Sequence, residues 1–500
     1  MNMGKSYMLV TLSLLLLFQS TFAAQQDFYV YPTILHERTK DKNLVLRLSE
    51  NLTLNLEKSS VLADKLLLVT SSHEGQLLDT VDTSAIQEVL YQDVHCQSSL
   101  VLRQREGVVQ VEGIINHELR IKPLPQDERS LQDKILHKIY KVQEIQGTYN
   151  DFEPTLPQVY QRSYELNQRK KRERRNWNAH HDMEHKEEER SANRDKFTVE
   201  LHVISDSVHQ RSFKKNEELI AYLAVMTNAV NLRYLDMRNP RISFILVGLT
   251  RSKDDPFAEH KAGFLYAPGT LRGLREYNNK GKIPGNADMV YLITGQDLGK
   301  EEDGKMSNFV TGLAFVDGVC THNFVGEGED TARTYTGTHT MAHELAHILG
   351  APHDEAQPKD PECAWSQGYL MSYVDGGVKR YQLSPCSENK IRTAFGKLKS
   401  ECLEVKAKHN YQKDYRKFPG QTVREEFFCR KVLKHPKGTQ EKVVVKKNPE
   451  FTRKCKMECC LAAYGRLTCR KATMPSGMAC ARGKTCKRNV CGVHTWEQFK

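Results

Sequence analysis

Met341-Ala342-His343-Glu344-Leu345-Ala346-His347-Ile348-Leu349-Gly350-Ala351-Pro352-His353-Asp354 is the stretch on which the reading of this chain turns. Its pattern is HExxHxxGxxHD. On a helix, side chains four apart lie one turn above each other, so His343 and His347 can offer imidazole nitrogens to one ion at about 2.0–2.1 Å. Glu344 projects beside them. Gly350 is placed to end the helix with a positive φ, and three residues on His353 can return as a third ligand, leaving a fourth position for water. Three neutral imidazoles leave a divalent ion its full charge, which draws the pKa of a bound water towards about 7 and polarises a peptide carbonyl, with Glu344 as the base that takes the proton. HExxH arises by accident in roughly one chain in twenty of this composition, and adding the glycine and third histidine lowers that to roughly one in ten thousand. Chance is excluded, and binding alone would not need Glu344.

Outward from this segment, residues 197 to 402 alternate strand and helix patterns. Phe197 to Ile204 alternates as a strand, Asn216 to Leu232 repeats apolar residues at helical spacing, and Ile242 to Leu249 is a buried strand. Thr270 to Asn278 suggests a helix, Ala287 to Thr294 a strand, and Phe309 to Phe315 a shorter strand that its glycine sends to a sheet edge. An amphipathic helix from Ser387 to Leu398 closes the domain near Cys402. The expectation is a mixed α/β domain, one sheet with helices packed on it.

The ligand pattern resembles the metzincins, and Asp354 directly after the third histidine is similar to the reprolysin (adamalysin-type) branch. The resemblance implies a zinc metalloendopeptidase with one catalytic Zn2+ on His343, His347 and His353 and with Glu344 as catalytic base. It also implies a Met-turn, and Gly368-Tyr369-Leu370-Met371-Ser372-Tyr373 places Met371 18 residues beyond His353. By the same resemblance Asp354 supports the ligand loop from behind, and Gly312, Leu313, Ala314 and Phe315 form the edge strand that pairs with an extended substrate. Residues after Met371 wall the pocket for the side chain following the cut. The family pattern pairs Cys320 with Cys402 and Cys363 with Cys386, although four cysteines by themselves allow three pairings. Tyr373 is a candidate oxyanion stabiliser or a packed aromatic. Calcium is carried as an optional second ion.

The first residues read as a leader: Lys5 precedes an apolar run from Met8 to Phe18, and Ala23 and Ala24 offer a cleavage site, giving a signal peptide over 1–24. Residues 25–175 are read as a mainly β propeptide, with alternation in Leu44 to Leu56 and Val108 to Ile121 and a glycosylation sequon at Asn51-Leu52-Thr53. Gln168 to Arg175 reads QRKKRERR, two overlapping dibasic windows ending at Arg172 and Arg175 that suit a furin-like convertase, followed by a charged linker over 176–196. Propeptides of this kind use a cysteine thiolate as a temporary zinc ligand. None lies between Cys96 and the basic run, so Cys96 is either that switch or a buried thiol.

Thirteen cysteines in an exported chain read as a disulfide framework, and eight of them crowd residues 403–500. The spacing lacks the repeated CxxC of a zinc cluster. Residues 403–500 carry 24 Lys and Arg against 8 Asp and Glu, within a formal net charge of +11 for the whole chain. A small, basic, disulfide-rich domain is suited to polyanionic glycans or a membrane surface, whereas export argues against nucleic acid. No apolar run reaches the roughly 20 residues of a transmembrane anchor. The layout is most similar to salivary metalloproteases of ticks, which implies a secreted, anti-haemostatic protein of saliva acting on extracellular substrates such as fibrinogen, fibrin and matrix proteins. The competing expectation is a host-protein or glycan binder that acts through the basic domain.

Overall fold

Phe197 to Ser205 is buried at every position, as a strand covered on both faces must be, and it lies at the centre of the main sheet. The computed structural model describes residues 27–37, 43–73, 75–105, 107–125, 134–142, 195–407, 424–433, 442–463, 466–475, 477–487 and 490–493. The leader over 1–24, the basic run with Arg172 and Arg175, and the linker up to residue 194 lie outside the described residues.

Seven strands make the main sheet: β1 (Leu62–Ser72), β2 (Gly75–Asp82), β3 (Lys196–Ser205), β4 (Arg241–Ser252), β5 (Met289–Thr294), β6 (Gly312–Ala314) and β7 (Val325–Glu329), in the spatial order β6-β7-β5-β3-β4-β1-β2. Only β6 and β2 run antiparallel to their neighbours. Helices α1 (Asn216–Arg233) and α3 (Thr338–Ile348) share one apolar cluster with Phe197, Val199, Leu201 and Val203, while α2 (Ala267–Asn279) closes the other face over Val290, Leu292, Leu313 and Val325. Alternation along β7 makes the two faces possible: Val325 points to α2, and Gly326 and Gly328 let α3 approach so closely that a Cβ on Gly328 would lie 2.8 Å from Thr340 Cγ2. Every residue of α3 is buried, and its fully buried Leu345 and Ile348 each contribute about 1.5–3 kcal/mol.

The helix α4 (Pro385–Phe395) starts two residues earlier than the amphipathic pattern indicates, because Ser384 caps it and Pro385 supplies a preset φ at its first position. Leu44 to Leu56, a single alternating run in the sequence, is a hairpin of Leu44–Arg47 and Thr53–Lys58 turned at polar Ser49 to Asn51, with Asn51 exposed. Val108 to Ile121 is likewise two antiparallel strands. These belong to a nine-stranded antiparallel sheet built from residues 28–141, and it packs against α1. The region is mainly β, as the sequence indicates, yet it is not closed on itself: β1 and β2 come from it and extend the sheet that carries the metal ligands.

The C-terminal region holds two three-stranded sheets and the disulfides Cys429–Cys459, Cys455–Cys486, Cys460–Cys469 and Cys480–Cys491. All eight sulfurs are thereby consumed, which removes the zinc-cluster alternative for this region. Among the described residues no helix is long and apolar enough to cross a membrane.

Candidate metal centre and cleft

The three histidines arrive from two directions. His343 and His347 stand one turn apart on α3, and Gly350 reverses the chain at φ +106°, where a Cβ would meet the Ala394 methyl at 2.7 Å. The freed carbonyls at the helix end are taken up by the loop after β6: Asp317 N donates to His347 O at 3.0 Å and Gly318 N to Ile348 O at 3.0 Å. His353 then faces back. Its Nε2 lies 3.0 Å from His343 Nε2 and 3.1 Å from His347 Nε2.

Each ring is oriented from its far side. Leu370 O accepts from His343 Nδ1 at 2.7 Å, Ala351 O accepts from His347 Nδ1 at 2.7 Å, and Tyr373 Oη lies 2.8 Å from His353 Nδ1. A proton held on each Nδ1 leaves each Nε2 with its lone pair, all three aimed at one point. The ligand nitrogens of these residues lie within 4.8 Å of one another, and the set suits an ion that takes imidazole nitrogen in tetrahedral coordination with one position open. The residues present therefore fit zinc.

Glu344 is fully buried beside this group, and β6 runs against it. A Cβ on Gly312 would lie 2.5 Å from Thr340 Cγ2 and 2.7 Å from Glu344 Oε1, so only glycine lets the edge strand pass so near the carboxylate. Leu313 pairs with Glu327 and Ala314 with Gly326 on the β7 side, while Phe315 continues beyond the strand with its ring buried. The outer side of β6 is an edge.

Met371 is fully buried, and its carbonyl accepts from Asp354 N at 2.9 Å. The carboxylate of Asp354 is held by serine hydroxyls. Its Oδ1 accepts from Ser384 Oγ at 2.5 Å and Ser387 Oγ at 3.2 Å, and burial raises its carboxyl above the usual range against those two hydrogen bonds. The ligand loop, the Met-turn and the N-terminus of α4 are thus tied through one residue, by its backbone N–H and its carboxylate. Ser384 and Ser387 escaped the sequence reading, although Ser before Pro before an amphipathic run marks a capped helix start. The carbonyls of Leu370 and Ala351 carry no residue-type signal.

Cys320 is bonded to Cys402 and Cys363 to Cys386. Cys96 packs on the core of the nine-stranded sheet with its backbone N–H on Asp93, and burial together with the Asp93 carboxylate pushes its thiol well above the ordinary range. It is not in the histidine group, and a thiol held protonated is a poor metal ligand. The third histidine of α3, His339, accepts from Arg380 Nε at 3.3 Å and is kept neutral by burial and that guanidinium.

Residues 195–392 match the Reprolysin_5 profile of metallo-peptidase family M12. The chain is 26% identical over 391 residues to the venom metalloproteinase BumaMPs1 of Olivierus martensii, covering 75% of this chain and 91% of that protein. It is 26% identical over 349 residues to the venom metalloproteinase antarease TserMP_A of Tityus serrulatus, with 65% and 82% covered. A disintegrin and metalloproteinase with thrombospondin motifs like protein of Bombyx mori is 24% identical over 466 residues, with 82% and 66% covered.

Proposed function

We propose that this chain, whose residues 195–392 form a zinc metalloendopeptidase domain of the reprolysin type in family M12, is exported as a proenzyme and hydrolyses extracellular proteins, fibrinogen, fibrin and matrix proteins among them, as an anti-haemostatic salivary factor. A furin-like convertase acting at Arg172 or Arg175 is part of that proposal. One observation carries the catalytic reading: a buried carboxylate, Glu344, stands between three convergent Nε2 atoms and a glycine-lined sheet edge.

Bound to His343, His347 and His353, zinc would supply Lewis-acid polarisation of a carbonyl and acidification of water. The rest falls to the chain. The outer edge of β6, the last strand of the sheet, accepts an extended peptide as an added strand, which holds many sequences by their backbones and presents one peptide bond to the cleft. Glu344 takes the proton of the attacking water on a carboxylate oxygen and returns it to the departing amine nitrogen. Purified, processed protein should cleave fibrinogen or gelatin. Glu344→Ala should abolish cleavage while still binding one zinc, and retention of cleavage would refute the role of Glu344.

An optional calcium ion, to which no residues are assigned, belongs to the same proposal. A calcium-selective chelator that leaves zinc in place should lower the melting temperature.

The second reading, a glycan or membrane-surface binder acting through residues 403–500, is favoured by the charge excess of that region. It predicts that Glu344→Ala keeps the full biological effect and that binding to heparin or anionic vesicles weakens steeply with salt.

A further inference from the structure

We propose that the N-terminal region is not shed when the chain is cut but stays as a second, non-covalently held chain of the working enzyme. The proposal rests on the reading that the chain is processed between residues 169 and 175, and it concerns the fate of the two fragments after the cut.

A dissociable inhibitory segment needs to cover a cleft and leave the core of its enzyme closed. Here the core is shared. β1 lies parallel to β4, with Leu246 opposite Leu62 and, after a register shift, Gly248 to Ser252 opposite Leu67 to Ser71, and further bonds run from Leu246 N to Val61 O at 2.8 Å and from Lys253 N to Ser71 O at 3.0 Å. Without β1, the long and largely buried strand β4 would become the sheet edge, an unpaired template of the kind native proteins avoid. On this side of the sheet the edge is β2, exposed along most of its length and carrying Asp79 and Asp82.

Eight buried side chains of the region, Val61, Leu62, Leu66, Leu68, Ile86, Leu90, Val101 and Ile114, belong to the same cluster as Leu219, Ile220 and Leu223 of α1 and Phe244 and Leu246 of β4. Buried polar groups cross as well. Ser59 Oγ donates to Asn228 Oδ1 at 2.6 Å, Asn228 Nδ2 donates to Ser99 Oγ at 3.1 Å, and Ser99 Oγ donates to Val225 O at 2.8 Å. Departure of the region would leave Asn228 in the middle of α1 facing an opened apolar surface, at the cost of orphaned polar groups.

The region also reaches the segment that feeds α3. Arg120, 1% exposed, donates from Nη2 to Tyr335 O at 3.4 Å, and Tyr140 Oη donates to Arg333 O at 3.3 Å. Arg333 and Tyr335 sit at φ +69° and +60°, a left-handed conformation that non-glycine residues keep only when their surroundings impose it. Both of these donors come from the N-terminal side of the processing site. Among the described residues the region contributes no ligand atom to the histidine group.

The test replaces part of the segment 176–194 by a recognition sequence for a site-specific protease in the full chain, so that the cut is made whether or not a convertase recognises the basic run. After complete cutting, size exclusion in native buffer should give one species containing both fragments. Hydrogen exchange should find the amides of Leu246 and of Gly248 to Ser252 as protected as in the uncut chain. Separation should require denaturant and should coincide with loss of peptide hydrolysis. Elution of the N-terminal fragment by itself, with the remainder monomeric and active, would overturn the proposal, as would co-elution with those amides exchanging freely. Treating the unaltered chain with a furin-like convertase in parallel tests the processing reading separately: a chain that resists it sinks that reading alone.

Discussion

Tyr373 Oη lies 2.8 Å from Nδ1 of His353, the only one of the three rings whose far side is held by a side chain rather than a carbonyl. His353 is also the ligand most open to solvent, since it comes after the helix rather than standing on it. A side chain that fixes the tautomer of a ligand contributes about 10–100-fold to metal affinity or activity. Tyr373→Phe should therefore weaken zinc binding by about that factor, read by competition with a chromophoric chelator. Were the hydroxyl acting on the oxyanion instead, kcat would fall while zinc affinity held, and the two measurements together separate the roles.

Gly312 is the position at which the cleft edge can least accept a side chain. Gly312→Ala puts a methyl into the space of Thr340 Cγ2 and Glu344 Oε1, and one of the three must move. A misplacement near 1 Å of a catalytic group costs about 100-fold in rate. The expected result is a fall in kcat of about that size with one zinc still bound per chain. Unchanged kcat would mean that Glu344 does not act from where it stands.

Ser384 does two tasks with one hydroxyl, capping α4 through Ser387 N at 3.1 Å and donating to Asp354. Ser384→Ala loses about 1 kcal/mol for the cap and about 1–3 kcal/mol for the deprived carboxylate. Calorimetry should find the melting temperature lowered by several degrees. Ser384→Asp restores a cap but sets a second carboxylate against Asp354, and it should recover little. Full recovery would assign the whole effect to capping.

Glu327, on the α2 face of β7, is fully buried with no hydrogen bond to either carboxylate oxygen, and burial raises its pKa well above the ordinary 4.5. Above pH 4.5 the unfolded chain releases this proton while the folded chain keeps it. Stability consequently declines as pH rises, by about 1.4 kcal/mol per unit, until the folded carboxyl itself ionises. Glu327→Gln removes the titration and keeps the volume. The difference in melting temperature between the variant and the parent should widen in favour of Gln as pH rises above 4.5, by roughly 2–4 °C for each kcal/mol. A constant difference would refute the buried neutral carboxyl.

Much of the metal centre was legible because it is local. Positions four apart on one helix, a glycine where φ must be positive, and a methionine 18 residues on are statements about neighbours in sequence, and the backbone places them where the pattern indicates. Helix and strand periods likewise located α1, α2 and β3 to β5 to within a few residues. Hairpins were harder. The alternation of Leu44 to Leu56 continues through its turn, so period alone cannot find the reversal at Ser49 to Asn51.

The sequence by itself determined the ligands, their spacing, the residue able to move a proton, the even numbers of cysteines around them and the basic character of the tail, since all of these are properties of residue type and short separation. Only the tertiary structure decided that Gly312 lies against Glu344, that Tyr373 holds His353, that Asp354 serves α4, and that strand Leu62–Ser72 belongs beside Arg241–Ser252. Strand pairing is written in backbone hydrogen bonds that every residue can make, between segments so far apart in the chain that no period links them. Burial of the shared core, not any motif, selects the partner.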